Sequence, residues 1–352
     1  MGFPRTKYNI LERREDWQMV TFGFEYEDGT KNEGLALPEF AQEVERLGYE
    51  SVWAPEGLAG GMDVLTAITS AIKITKSVKF ATNVLVAPYY HPWHLAKRTL
   101  TMDLLSEGRF MLGIGVGWRP PEFEMMGLPY TERGKLTDEM LEIMIRMWEN
   151  GDVSYEGRHF RIKGLVTKLD PPFTKPHPKI LIGGGPVKIH ETRPAWPGTR
   201  KPNRDAALKR TAKYGDGWRP PSISTVEDLT YGYNKILEYA REFGRRLPER
   251  FVTAGIPIVN IQDDEKAAIE DYKQGYSRRV LPSGIYRSQG NLSMDEYSSL
   301  GAVGPVENCI HQVRERLKVP GLERIIFYLY SSDNFRQLER IHKEVIPACV
   351  SP

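Results

Sequence analysis

The chain has 352 residues, with 48 Lys and Arg against 46 Asp and Glu and a formal net charge of +2, so its overall charge favours neither nucleic acid nor an anionic membrane as a partner. Its two cysteines, Cys309 and Cys349, are too far apart for a disulfide framework, and without a CxxC pair or an HExxH motif we expect no metal site. Residues 1–19 are charged and interrupted by Pro4, and the apolar runs are only strand-length, so the sequence predicts a cytoplasmic protein that acts on a small molecule.

After a 1–19 extension, residues 20–352 are predicted to form one domain in which short apolar runs alternate with amphipathic stretches. Pro38 suits the first turn of the first helix, and Gly48 suits the stop after it. Asp63 can cap the second helix. The first four predicted strands are residues 20–25, 51–54, 78–86 and 110–117.

The second half continues the alternation less regularly. A short hairpin is predicted through Tyr155 and Phe160, and residues 186–204 are interpreted as an inserted loop. The remaining strands are predicted at residues 179–182, from 217, at 251–261 and at 324–330, with a long helix-bearing excursion before the last. Eight strands alternating with helices favour an α/β fold, a (β/α)₈ TIM barrel, with a doubly wound open sheet as the alternative.

The active site of such a barrel lies at the carboxyl ends of its strands, and two glycine-rich runs fall there. In Gly113 to Gly117 every second residue is glycine, which leaves one strand face open for a flat ring; close packing at the barrel wall is the alternative. Gly183 to Gly185 follows strand five, where backbone N–H groups can bind a phosphate, although barrels more often place phosphate after strands seven and eight.

Titratable residues also follow the strands. Glu56 comes directly after strand two and Glu122 five residues beyond Gly117, which predicts two carboxylates near the barrel mouth for proton transfer. Surface carboxylates are common, so a solvated role is the alternative. His91 and His94 begin the helix after strand three and are proton-donor candidates, although histidines at helix starts are more often structural.

Motifs spread over residues 20 to 220 occur in a distinctive order. They are Asn83 to Pro92, Leu104 to Phe110, Gly113 to Trp118, Glu122-Phe123, Gly127, Arg133-Gly134, Thr137 to Glu139, Tyr155 to Gly157, Ile180 to Gly185 and Tyr214 to Trp218. Their order and spacing resemble the bacterial luciferase-like monooxygenase family. The final third of the chain matches this family more loosely.

The resemblance implies an eight-stranded barrel, usually a homodimer, that binds reduced FMN or a deazaflavin coenzyme with the phosphate near the strand-five glycines. It also implies a bulge with a cis peptide bond at Asn83-Val84, for which an ordinary trans strand end is the alternative. We expect Glu56, Glu122 and Trp118 to take part in the reaction as catalytic residues, with Trp118 lining the substrate side. By position, the residues that surround the cofactor would be Glu56, Asn83, Val84, Val116, Gly117, Gly183, Gly184 and Gly185.

Two departures from the family pattern matter. Many deazaflavin members carry an Asp-His pair where this chain has Glu56-Gly57, so a histidine base is missing there. The insertion at 186–204 holds five basic residues and one acidic residue, which predicts a basic cover for an anionic group, or simply a solvated loop.

Three functional hypotheses therefore remain. The first is a two-component monooxygenase, in which a separate reductase supplies reduced FMN and molecular oxygen oxygenates a small organic substrate. The second is a deazaflavin-dependent reductase or dehydrogenase that transfers hydride without oxygen. The third is a flavin-binding barrel without turnover.

Overall fold

A computed structural model describes residues 20–26, 33–56, 62–166, 169–187, 205–280 and 301–350. The predicted 1–19 extension and residues 188–204 of the predicted insertion lie outside the described residues. None of the helices in the described ranges is both long and apolar enough to cross a bilayer.

Eight parallel strands close on themselves, which confirms the (β/α)₈ barrel and excludes the open sheet. The barrel strands are β1 (Thr21–Glu25), β2 (Ser51–Ala54), β3 (Lys79–Thr82), β5 (Phe110–Gly115), β8 (Lys179–Gly183), β9 (Gly217–Arg219), β10 (Val252–Ile261) and β12 (Leu322–Leu329). Each of these strands pairs with its neighbour, and β10 pairs with both β9 and β12, which closes the barrel.

Four further strands decorate the barrel. β4 (Leu85–Val86) pairs with β5, and β11 (Ala302–Gly304) pairs with the end of β10. β6 (Asp152–Glu156) and β7 (Arg161–Val166) form an antiparallel hairpin, as the sequence predicted.

Helices cover the outside of the barrel. Asp63 caps α2 through a hydrogen bond from Thr66 N, as predicted, and Thr225 and Asp228 form a capping box at the start of α7. The α-helices are α1 (Glu33–Arg46), α2 (Val64–Ile72), α3 (Pro92–Ser106), α4 (Pro120–Met125), α5 (Arg133–Asn150), α6 (Ala206–Tyr214), α7 (Val226–Glu242), α8 (Glu265–Val280), α9 (Val306–Arg316), α10 (Asn334–Arg340) and α11 (Ile346–Val350); a π-helix, Ile341–Val345, joins the last two.

Three predicted boundaries were wrong. The first helix begins at Glu33, so Pro38 lies inside it and not in its first turn. The third strand is interrupted after Thr82 and resumes as β4, because a bulge with a cis peptide at Asn83-Val84 separates the two segments. The fourth ends at Gly115, and Val116 and Gly117 follow it as irregular backbone.

The amino end of the barrel is sealed by a buried ion pair. Arg324, near the start of β12, is 1% exposed and donates two hydrogen bonds of 2.9 and 3.0 Å to the Glu50 carboxylate just before β2. Burial alone would raise the pKa of Glu50, but the charge and hydrogen bonds of Arg324, with Lys79, lower it to about 2. The amino end of the barrel therefore holds a structural ion pair, and the active site of such barrels lies at the opposite, carboxyl end.

Candidate active site

The alternating glycines of β5 pack against the bulge between β3 and β4. A Cβ atom added at Gly113 would lie 1.8 Å from the Thr82 carbonyl oxygen, and one at Gly115 would lie 2.8 Å from Val84 Cγ2. The glycine face is thus occupied by the chain itself, which is the close-packing alternative of the sequence analysis. Val84, not the bare glycine backbone, is the surface that β5 supports at the mouth.

Gly117 has a related role just beyond β5. Its φ of +77° lies in the region that favours glycine, and a Cβ there would meet Phe123 at 2.7 Å and Val86 at 2.8 Å. The glycine lets Phe123 of α4 lie close to the segment after the bulge.

The glycines after β8 are partly committed to internal contacts. Gly184 donates its N–H to the Arg219 carbonyl (3.0 Å), and its carbonyl accepts from Trp218 Nε1 (2.6 Å). Gly184 and Gly185 have φ of +106° and +147°, and a Cβ at Gly185 would lie 2.9 Å from the Trp218 ring. The Gly184 N–H therefore has a partner already, and the predicted phosphate site in this loop stays a prediction.

A ring of four polar side chains lies at the carboxyl ends of β1, β3, β9 and β12. Asn83 Nδ2 donates to Glu25 and, at 2.8 Å, to the Tyr328 hydroxyl. Arg219 donates from Nε to Asn83 Oδ1 at 2.8 Å and from Nη2 to the same hydroxyl. The Tyr328 hydroxyl also hydrogen-bonds Glu25. We call this cluster, Glu25, Asn83, Arg219 and Tyr328, the polar ring.

Glu56, the first predicted catalytic residue, sits beside the bulge. Its carboxylate accepts from Val86 N at 2.6 Å and from the Tyr90 hydroxyl. Burial raises the pKa of Glu56 above its ordinary value, the neighbouring charges of Asp63 and Glu122 add to this, and the two hydrogen bonds oppose it. A carboxyl group in this setting retains its proton to a higher pH than one in water, which suits proton transfer.

Glu122 lies in the same part of the mouth, as predicted. It is 5% exposed, accepts from the Tyr89 hydroxyl at 2.7 Å and pairs with Arg119 at 2.9 Å. Consecutive tyrosines, Tyr89 and Tyr90, thus bind the two predicted carboxylates, one each. Glu122 has a cationic partner, Arg119, whereas Glu56 accepts its hydrogen bonds from neutral groups, Val86 N and the Tyr90 hydroxyl.

Trp118 is 49% exposed, and the Arg119 guanidinium lies 4.5 Å from its ring centroid. It stands between Gly117 and the start of α4, so a partly open aromatic side chain borders Glu122. His91 and His94 are exposed at the start of α3, where His91 Nδ1 accepts from Trp93 N, which is a helix-capping contact. This contact agrees with the structural alternative for His91.

Sequence reasoning missed Glu25, Arg219 and Tyr328. A signal was present, since Glu25 and Arg219 are the last residues of β1 and β9 and a buried strand rarely ends in a charge without a partner. Among the described residues, no three His, Cys, Asp or Glu side chains are placed to share a metal ion.

A closed parallel barrel with carboxylates, a guanidinium and tyrosines clustered at its carboxyl end has the architecture of a TIM-barrel enzyme. The sequence matches the profile of the luciferase-like monooxygenases over residues 20–323, and the chain belongs to that family. The protein is therefore an enzyme of this family, as the resemblance predicted.

Individual relatives agree. The chain is 24% identical over 298 residues, 80% of its own length and 76% of the relative's, to a 4-hydroxyprotoasukamycin monooxygenase from Streptomyces nodosus subsp. asukaensis. The crystal structure of monooxygenase RslO1 from Streptomyces bottropensis superposes with a TM-score of 0.77 at 21% identity, covering 93% of this chain and 99% of that one.

The oxygenating constituent of 3,6-diketocamphane monooxygenase from Pseudomonas putida, solved in complex with FMN, has a TM-score of 0.72 at 18% identity and covers 95% and 100% of the two chains. Solved structures with this fold also include F420-dependent enzymes. These structural likenesses establish the fold, which flavin and deazaflavin enzymes share.

Proposed function

We propose that the protein is the oxygenating component of a two-component monooxygenase, which takes reduced FMN from a separate reductase and oxygenates a small organic substrate. The relatives named as monooxygenases support this assignment. The observation that carries it is the position of Glu56, a half-buried carboxyl group of raised pKa held by Tyr90 and Val86 beside the bulge.

The residues at the mouth fit a flavin-type ring. The bulge at Asn83 and Val84 is supported from behind by glycines, and the polar ring beside it holds the Asn83 side chain in place through hydrogen bonds. The residues that would hold the flat ring are those of this bulge together with Val116 and Gly117, and Gly183, Gly184 and Gly185 would lie toward the phosphate.

When bound, the reduced flavin supplies the electrons that activate molecular oxygen for transfer to the substrate. The chain itself does the rest. Glu56 holds or passes a proton beside the bulge, and Tyr90 keeps its carboxyl group in one orientation. The rings of Tyr89 and Tyr130 contact the buried Phe123 edge to face, and the Tyr89 hydroxyl donates to Glu122, so this aromatic cluster holds the Glu122 carboxylate in place.

The competing function is hydride transfer with the deazaflavin coenzyme F420, which F420-dependent structural neighbours favour. The missing histidine beside Glu56 counts against a dehydrogenase that needs a histidine base to oxidise an alcohol.

A cofactor titration separates the two functions. The purified protein is titrated with oxidised FMN, anaerobically reduced FMN and F420, and the dissociation constants are compared. We expect reduced FMN to bind most tightly, and oxygen consumption to begin when substrate and reduced FMN are present together. Tighter binding of F420 than of reduced FMN, with turnover in the absence of oxygen, would overturn the proposal.

A further inference from the structure

The hydrogen bonds of the polar ring leave Asn83 with no amide hydrogen to spare. Its Nδ2 group has two hydrogens, and Glu25 and Tyr328 accept one each. Its Oδ1 accepts from Arg219 Nε at 2.8 Å. An Asn83 side chain bound in this way cannot also donate to a cofactor, although its position beside the bulge suggested that contact.

The Tyr328 hydroxyl is equally committed. Its oxygen accepts from Asn83 and from Arg219, so its own hydrogen points to Glu25, with which it is hydrogen-bonded. The ring thus joins one carboxylate to one guanidinium through two neutral groups, and its net charge is zero. Buried charges in such a network depend strongly on each partner being present.

The backbone of the bulge is anchored on two other sides. Asn83 N donates to the Ala54 carbonyl of β2 at 2.8 Å, and Thr82 Oγ1 donates to the Gly113 carbonyl of β5 at 2.6 Å. The polar ring supplies the third anchor, from β1, β9 and β12. Together the three fix where Val84 stands at the mouth.

We propose that Glu25, Arg219 and Tyr328 are positioning residues that hold the Asn83 amide, and through it the Asn83-Val84 bulge, in the place where the cofactor ring rests. Asn83 acts on the site through this ring and not through a side-chain contact with the cofactor. The inference rests on the proposed function only in requiring that a flavin or deazaflavin binds at the bulge.

A charge swap tests the inference. Asn83→Asp keeps an acceptor for Arg219 but places a second carboxylate against Glu25. Glu25→Gln alone leaves Arg219 without its counter-charge. The double variant, Glu25→Gln with Asn83→Asp, keeps the net charge and reverses two hydrogen bonds of residue 83, because the Gln amide now donates to the Asp carboxylate and the Tyr328 hydroxyl turns toward it; the two hydrogen bonds from Arg219 keep their direction.

The dissociation constants of FMN and F420 and the visible absorption spectrum of bound FMN are measured for all four proteins. We expect each single variant to bind its cofactor about tenfold more weakly, the scale of coupling within one network, and the double variant to recover to within about threefold of wild type with the wild-type spectrum. Glu50→Gln at the amino end is the control: it removes a comparable buried carboxylate, and we expect its cofactor affinity to be unchanged.

The possible results distinguish a failure of this inference from a failure of the proposed function. Failure of the double variant to recover affinity would mean that Asn83 contacts the cofactor directly, which overturns the inference and leaves the proposed function standing. Single variants that bind as wild type does would also overturn it. Binding of neither cofactor by the wild-type protein would overturn the proposed function and the inference with it.

Discussion

Val84 packs directly against the backbone of Gly183, so closely that a Cβ atom on residue 183 would lie 2.9 Å from Val84 Cγ1 and 3.0 Å from Cγ2. A Cβ atom on residue 115 of β5 would lie 2.8 Å from Cγ2 of the same side chain. Val84 is therefore wedged between β5 and β8, and a bulge on one strand requires glycines on two others.

This contact predicts that Gly183→Ala destabilises the protein by about 1–3 kcal/mol, because the added methyl group overpacks a site that cannot expand. The midpoint of urea unfolding measures the loss. Adding Val84→Ala should recover most of it by removing the methyl groups that clash. Gly134→Ala, where the nearest atom to the added methyl group is Arg210 Nη2 at 3.3 Å, is the control. An unchanged midpoint for Gly183→Ala would show that the bulge yields without cost.

The same contact shows what the sequence could and could not predict. The alternation of apolar runs with helix-like periodicity located the eight barrel strands, because burial against helices imposes that pattern locally. The glycine row was recognised, but its partner was not. Thr82 and Val84 lie about thirty residues before Gly113 and Gly115, and no local pattern says which side chain fills a gap left by a distant strand.

For the site, too, the sequence predicted what depends on local position along the chain and not what depends on contacts between distant residues. Glu56 and Glu122 were predicted because they follow strands, and the structure places them close enough for their charges to interact. Asn83 was predicted to lie near the cofactor, but the polar ring was not predicted, since its members come from positions 25, 83, 219 and 328 and no local pattern joins them. Barrel closure alone brings β1 beside β12 and so unites residues from opposite ends of the chain.

The raised pKa of Glu56 predicts how stability depends on pH. Because its folded-state pKa lies above its unfolded value, the folded state binds more protons in the interval between them, and Glu56 lowers stability as pH rises through the folded pKa. The Glu56→Gln variant has no such titration and does not lose this stability. We therefore expect the urea midpoint of the variant to rise, relative to that of wild type, as the pH is increased from 4.5 to 8.

Turnover gives the second measurement on Glu56. If it transfers a proton in the reaction, Glu56→Gln should lower turnover by about 100-fold or more while leaving cofactor affinity nearly unchanged. Glu124→Gln, an exposed carboxylate on the same helix as Glu122, is the matched control and should retain activity. Full turnover by Glu56→Gln would remove this residue from the mechanism.

The partly exposed ring of Trp118 leads to a prediction about substrate preference. Its ring is partly open at the mouth and carries Arg119 against it, so a bound substrate can contact it without touching the bulge. Trp118→Ala should change the relative kcat/KM of large and small substrates by about tenfold, the scale set by losing a large aromatic contact, and leave the cofactor dissociation constant within about twofold. Met125→Ala, 64% exposed on α4, is the control. Equal losses across all substrates would contradict this role.

The Glu50–Arg324 pair predicts acid sensitivity at the other end of the barrel. Because the pKa of Glu50 is lowered from 4.5 to about 2, its contribution to stability is present above pH 4.5 and is lost as pH falls toward 2. The shift corresponds to about 3 kcal/mol, and Glu50→Gln should cost a similar amount at pH 7 because it removes one of the two carboxylates that pair with the buried Arg324 and leaves Glu323 as the other. The free energy of unfolding of wild type and variant, measured in urea at pH 7 and pH 3, should differ most at pH 7 and converge in acid.

The control is Glu339→Gln, a surface carboxylate paired with Lys343, which should match wild type at both pH values. Equal stability of Glu50→Gln and wild type at pH 7 would mean that the desolvation of the pair cancels its attraction, and the amino end of the barrel would then be held by its apolar core alone.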